Sequence, residues 1–235
     1  MSVMGLFFLL IYSVTGLYLW RQGVLGSDWL KEGDVGYVPE QPDVAPLSPQ
    51  KVGLLVFLAT VGCIFSLLIA SFFMRQASPD WQLPTMPTIL WLNYFILLAS
   101  SFSIQIAHHM ALIGRHPESK IWLLVAFATS FLFLFGQLVA GKDLIDQGVY
   151  AYGNPAASFF YLFTTLHGLH LMGGLIALFR TIKKIYRNSS DKLIIGSIEL
   201  CAIYWHFLFF IWTLLFILLL GKGNELGVLC RRILA

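Results

Sequence analysis

Six apolar runs, each close to the length of a bilayer crossing, alternate along this chain with short polar intervals. They cover roughly residues 2–20, 52–74, 88–113, 121–140, 156–179 and 193–220. A helix rises 1.5 Å per residue, so about 20 apolar residues are needed to cross a hydrocarbon core of about 30 Å. The pattern therefore predicts an all-α integral membrane protein with six transmembrane helices. The longest polar interval, Arg21 to Gln50, is rich in Gly and Pro and carries Asp28, Glu32, Asp34, Glu40 and Asp43. It reads as an extended acidic linker that sets the first helix apart from the other five. The expected organisation is a transmembrane helix over 1–20, a linker over 21–50, a five-helix bundle over 51–221 and a tail over 222–235. No basic residue precedes the first run and no small-x-small pattern follows Trp20, so that run is expected to be retained as a helix. No internal repeat stands out.

Composition strengthens this picture. Hydrophobic residues make up 58% of the chain and charged residues 11%, with a mean hydropathy of +0.78. Soluble domains carry about 25% charge, so this chain cannot clothe itself in water. The net charge of +3 is too small and scattered to point to nucleic acid. Cys63, Cys201 and Cys230 form an odd set, two of them inside apolar runs, and read as small buried hydrophobes. Orientation follows from Lys and Arg. With six crossings, one side holds ten of them, including Arg180, Lys183, Lys184, Arg187 and Lys192; the other holds Arg75, Lys142, Lys222, Arg231 and Arg232. The richer side is expected to be cytoplasmic, which places both termini in the periplasm.

The candidate chemistry lies in polar residues at bilayer depth. A charged side chain at the centre of a membrane helix costs about 2.5–3.5 kcal/mol, so each ionisable residue there needs a reason. His167 and His170 sit in the middle of the fifth run, three residues apart and about 60° apart around a helix. His206 lies in Y-W-H-F of the sixth run, two turns from Glu199 on the same helix face. His108 and His109 lie near the cytoplasmic end of the third run, at a depth where they could join Glu199 in a hydrogen-bonded cluster. Each imidazole can serve as a hydrogen-bonded contact between helices, or take part in metal, haem or proton handling. His-x-x-His supplies only two ligands, whereas catalytic metal sites usually need three. A bis-histidine haem between His206 and either His167 or His170 stays open on spacing alone. No Gly-rich phosphate loop, nucleophile elbow or carboxylate pair is present, so no catalytic residue and no metal site is assigned. A transporter is disfavoured by the absence of inverted repeats and broken helix pairs.

These residues resemble subunit III of the haem-copper cytochrome c oxidases. Four stretches carry the likeness in order: A-H-H at Ala107–His109, G-V-Y at Gly148–Tyr150, F-F then H-G-L-H at Phe159–His170, and E-x-x-x-x-Y-W-H-F at Glu199–Phe207, with Trp212 beyond. The resemblance covers the second to sixth helices and implies a five-helix, subunit-III-like bundle preceded by one extra helix. It also implies an accessory, non-redox subunit of a proton-translocating complex of aerobic respiration. Such a subunit packs on catalytic subunit I, with subunit II in the same complex, and supports assembly, a phospholipid environment and proton uptake. Haem and copper would then belong to the partner subunits, and the membrane would be the bacterial inner membrane. Related readings are the equivalent subunit of a ubiquinol oxidase or nitric oxide reductase, or, in a different class, a small bis-His haem carrier. Three acids of the family pattern are replaced here, by Val61 within A-T-V-G, by Ala140 after Gln137, and by Phe209 after W-H-F.

Overall fold

The computed structural model describes residues 48–76, 79–81, 87–187 and 191–222. The expected first helix at 1–20, most of the 21–50 linker and most of the 222–235 tail lie outside them. The described residues form five helices: α1 (Pro49–Arg75), α2 (Ile89–Leu112), α3 (His116–Asp146), α4 (Pro155–Tyr186) and α5 (Asp191–Ile217), the last closed by a π turn (Leu218–Lys222). All five are long and apolar enough to cross a membrane.

Several helices overrun the apolar runs that predicted them. α3 extends from an expected 121–140 to 31 residues, and α4 from an expected 156–179 to 32. At 1.5 Å per residue each reaches about 46 Å, enough for the headgroup layers as well as the hydrocarbon. Arg180, Lys183 and Lys184, expected in a loop, therefore stand on the last turns of α4. A helix C-terminus carries partial negative charge, which favours cations there.

Local sequence sets the ends. α2 and α3 both close in a left-handed glycine, Gly114 at φ 78° and Gly148 at φ 79°. In each case the amide after the glycine reaches back five residues: Arg115 N to Met110 O at 2.9 Å and Val149 N to Leu144 O at 2.9 Å. This is the Schellman arrangement, and it selects glycine because a Cβ disfavours positive φ. α4 begins with Asn154, whose side chain accepts from Ala156 N at 2.9 Å, followed by Pro155 in the first turn.

Packing is organised around α5. It touches α1, α2 and α4 along the backbone, and its Trp205 and Trp212 reach α3 through side chains. The closest pair is α2 with α3. Their buried faces, Leu90, Asn93, Leu97, Ser100, Ile104 and Ala107 against Leu123, Ala126, Ser130, Phe133 and Gly136, recur every three or four residues. The small residues let the backbones approach, the usual route to helix association where lipid supplies no hydrophobic drive. Outward, the bundle is apolar, with Leu138 at 73% and Phe131 at 63% exposure. α1 is the least enclosed helix and rests on α5 and the edge of α4.

Charged groups gather at the two ends of the bundle. At the end holding the N-termini of α1, α3 and α5, Lys51 pairs with Glu199 at 2.6 Å, Arg115 with Glu118 at 3.2 Å, and His116 lies 3.3 Å from Asp191. Lys184 Nζ donates to Ser197 at 3.0 Å, and Lys120 stands 5.1 Å over the Tyr186 ring. At the opposite end Arg75 pairs with Asp80 at 2.7 Å.

Candidate functional site

Of the six polar residues singled out from the sequence, His167, His170, His206 and Glu199 resolve into separate contacts between particular helices, while His108 and His109 make none among the described residues. His167 is fully buried on α4, and its Nε2 donates to the Leu208 carbonyl of α5 at 3.1 Å. A carbonyl only accepts, so this bond places a proton on Nε2, and in the neutral ring Nδ1 then carries none. Nδ1 has no partner among the described residues, and the imidazole packs against Phe133 and Trp212, whose ring centroids stand 5.8 and 4.9 Å from its own. His170, one turn on, accounts for its Nδ1 locally through the Leu166 carbonyl at 2.7 Å, and its ring faces Phe65 of α1 at 5.6 Å. The His170 carbonyl in turn accepts from Tyr204 Oη at 2.8 Å.

His206 faces away from His167 and His170, toward α2. Its Nδ1 lies 2.7 Å from Ser101 Oγ and its Nε2 lies 3.0 Å from Gln105 Oε1. Both ring nitrogens are thus engaged by side chains of one neighbouring helix. Glu199 pairs with Lys51 of α1, not with His108 or His109. His108 is half-buried, His109 is exposed, and neither side chain has a hydrogen bond or ion pair among the described residues. Among the described residues no group of three His, Cys, Asp or Glu side chains converges as a metal site would require.

The most connected buried polar contact was not anticipated from the sequence. Trp205 Nε1 donates to Ser100 Oγ at 3.0 Å and Ser130 Oγ at 3.1 Å, and the two hydroxyls lie 2.6 Å apart. Both also reach the Ala126 carbonyl, at 3.1 and 2.8 Å. One indole thereby joins α5 to α2 and α3 through a fully buried knot. Its signal was present in the small and hydroxyl residues at three- and four-residue spacing along α2 and α3. Two glycines mark further close approaches. A Cβ on Gly136 would lie 2.1 Å from Asn93 Oδ1, and one on Gly174 would lie 2.7 Å from Tyr204 Cε1.

The three positions where family acids are replaced are packed as apolar sites. Val61 is 2% exposed and Ala140 fully buried, while Phe209 is half-buried with its ring 5.6 Å from Tyr94. At the end opposite Lys51 and Glu199, an open crevice of about 820 Å³ is lined by Arg75, Asp80, Tyr152, Asn154, Ser158 and Phe159, among others. Chemically, the polar groups inside the bundle form pairwise and three-way hydrogen bonds between helices.

Comparison with known proteins places this chain in a family. Residues 9–223 match the family described as cytochrome c oxidase subunit III. A probable cytochrome c oxidase subunit 3 of Mycobacterium tuberculosis is 31% identical over 171 residues, covering 70% of this chain and 84% of the relative. Cytochrome c oxidase subunit 3 of Thermostichus vulcanus is 29% identical over 196 residues, 79% of this chain and 90% of the relative. Cytochrome bo(3) ubiquinol oxidase subunit 3 of Buchnera aphidicola is 25% identical over 178 residues, 74% of this chain and 92% of the relative.

Proposed function

Because this chain belongs to the cytochrome c oxidase subunit III family, we propose that it is the accessory, non-redox subunit of a haem-copper oxidase. It packs on the catalytic subunit I, in a complex that also contains subunit II, and supports assembly, phospholipid environment and proton uptake during aerobic respiration. Electron transfer and oxygen reduction belong to the partner subunits, which hold the haems and copper. The chain is a multi-pass membrane protein, placed by this reading in a bacterial inner membrane with both termini periplasmic.

The observation that carries the reading is the family match over residues 9–223, which takes in all five helices. The imidazole contacts support it. His206 has both nitrogens engaged by Ser101 and Gln105, and the His167 ring packs against the Phe133 and Trp212 rings. A bis-His haem carrier would need two imidazoles turned toward one another, and His167 and His206 address different helices.

A second reading changes the electron donor from cytochrome c to a quinol. It is favoured by the Buchnera ubiquinol oxidase subunit, which matches over 92% of its length. The distinction is one to be drawn on the whole complex.

The test is a mild-detergent pull-down of the tagged chain from its own membranes, with mass spectrometry of the partners and an optical spectrum. Recovery of a haem-copper subunit I, with all haem assigned to it, is the expected result. Oxidation of cytochrome c or of quinol by that complex then decides the donor. A lone chain carrying its own haem band would overturn the accessory reading.

A further inference from the structure

Hydrocarbon offers no hydrogen bonds, so a polar side chain facing lipid at depth keeps its desolvation cost unless a neighbour satisfies it. The outward face of α3 conforms: Ile121, Leu124, Ala128, Phe131, Phe135 and Leu138 are exposed and wholly apolar. The seam between α2 and α5 departs from this. Trp91, Phe95, Phe102, Gln105 and His109 form one exposed stripe on α2, and exposed His206 and Phe210 flank it on α5. His206 stands at the midpoint of the Asp191–Leu220 span. Gln105 lies seven residues inside the Leu112 end of α2, about 10 Å along the helix.

The hydrogen bonds at the seam place the protons. Gln105 Oε1 only accepts, so His206 Nε2 donates to it across 3.0 Å. Nδ1 of the same ring then accepts the Ser101 hydroxyl proton at 2.7 Å. This leaves the Gln105 amide nitrogen with two hydrogens and no partner among the described residues. An acyl chain lies against the α3 face without loss, but it offers nothing to an outward amide at this depth.

We infer that the α2–α5 seam is a protein interface, on which the membrane-embedded surface of the catalytic subunit sits and gives an oxygen acceptor to Gln105 Nε2. The acceptor is a carbonyl, carboxylate or hydroxyl of that partner. The aromatic flanks fit the role, since aromatic side chains are enriched at the cores of protein interfaces. This inference rests on the accessory-subunit reading and names the face that reading uses.

The test places a photo-activatable benzophenone side chain at Phe102 in one version of the full chain and at Phe135 in another. Each is irradiated in native membranes, and the complex is then isolated in mild detergent. The expected result is a cross-link from position 102 to the haem-carrying subunit, with position 135 labelling lipid. Adducts at 102 confined to lipid, or to residues 2–20 of the same chain, in a complex that still contains the haem-carrying subunit overturn the interface alone. A chain that recovers no haem-carrying subunit overturns the accessory reading, and the interface with it. As a second readout, Gln105→Leu is expected to lower partner retained through detergent washing about threefold, the scale of one interhelical hydrogen bond in a membrane. Unchanged retention overturns the Gln105 hydrogen bond.

Discussion

Lys51 Nζ stands 2.6 Å from Glu199 Oε1, an ion pair that joins the first turn of α1 to α5 across 148 residues of sequence. Its side chains keep 28% and 32% exposure, so the pair is neither dry nor fully screened. The pair holds the N-terminal end of α1 in register with α5. Partly exposed pairs couple by about 0.5–1 kcal/mol. A double-mutant cycle on Lys51→Met and Glu199→Gln should return a coupling of that size in thermal unfolding of the purified complex. Initial turnover should fall less than stability in Glu199→Gln. Intact stability with impaired proton uptake would instead assign Glu199 a direct part in proton entry.

Gly136 is where α3 presses on Asn93 of α2. A methyl group there would meet the buried amide at 2.1 Å, and Asn93 is only 1% exposed, with little room to turn aside. Gly136→Ala should therefore destabilise the bundle by about 1–3 kcal/mol, the range for overpacking. Asn93→Ala introduced with it should recover part of the loss. A Gly136→Ala chain that melts like the parent would show that the two helices are not in this register.

The Trp205 indole has two serine acceptors, so the consequences of removing the partners are unequal. Ser130→Ala leaves Ser100 to accept and should cost less than 1 kcal/mol. Trp205→Phe removes the donor and much of the packing, and should cost about 1–3 kcal/mol. Comparing the two melting temperatures in one detergent checks the order. Equal losses would mean that Ser130 carries the contact alone.

His167 offers the sharpest distinction between a packing imidazole and a ligand. His167→Leu removes the bond to the Leu208 carbonyl from a fully buried site and should destabilise the chain by about 1–3 kcal/mol. Haem content per complex and the positions of the haem bands should stay as in the parent. A band lost or shifted in the mutant complex, at normal subunit composition, would make His167 part of a haem environment.

The number, order and approximate centres of the five described crossings follow from the primary structure, since lipid accepts only long apolar segments whose backbone bonds close within the helix. The family, too, was legible in H-G-L-H and Y-W-H-F. The neighbour of each polar side chain was a different matter. A water-soluble helix shows its inner face by being apolar on one side only, whereas a helix in lipid is apolar all round. The seven-residue spacing of Glu199 and His206 therefore put them on one face of α5 without saying that Lys51 would meet the first and Ser101 and Gln105 the second. Nor could spacing show that His167 and His170, three residues apart, would address different helices, one reaching Leu208 of α5 and the other Phe65 of α1. Those partners were decided by how α1, α2 and α4 settle around α5, which brings together side chains more than a hundred residues apart, such as Lys51 with Glu199 and Ser101 with His206.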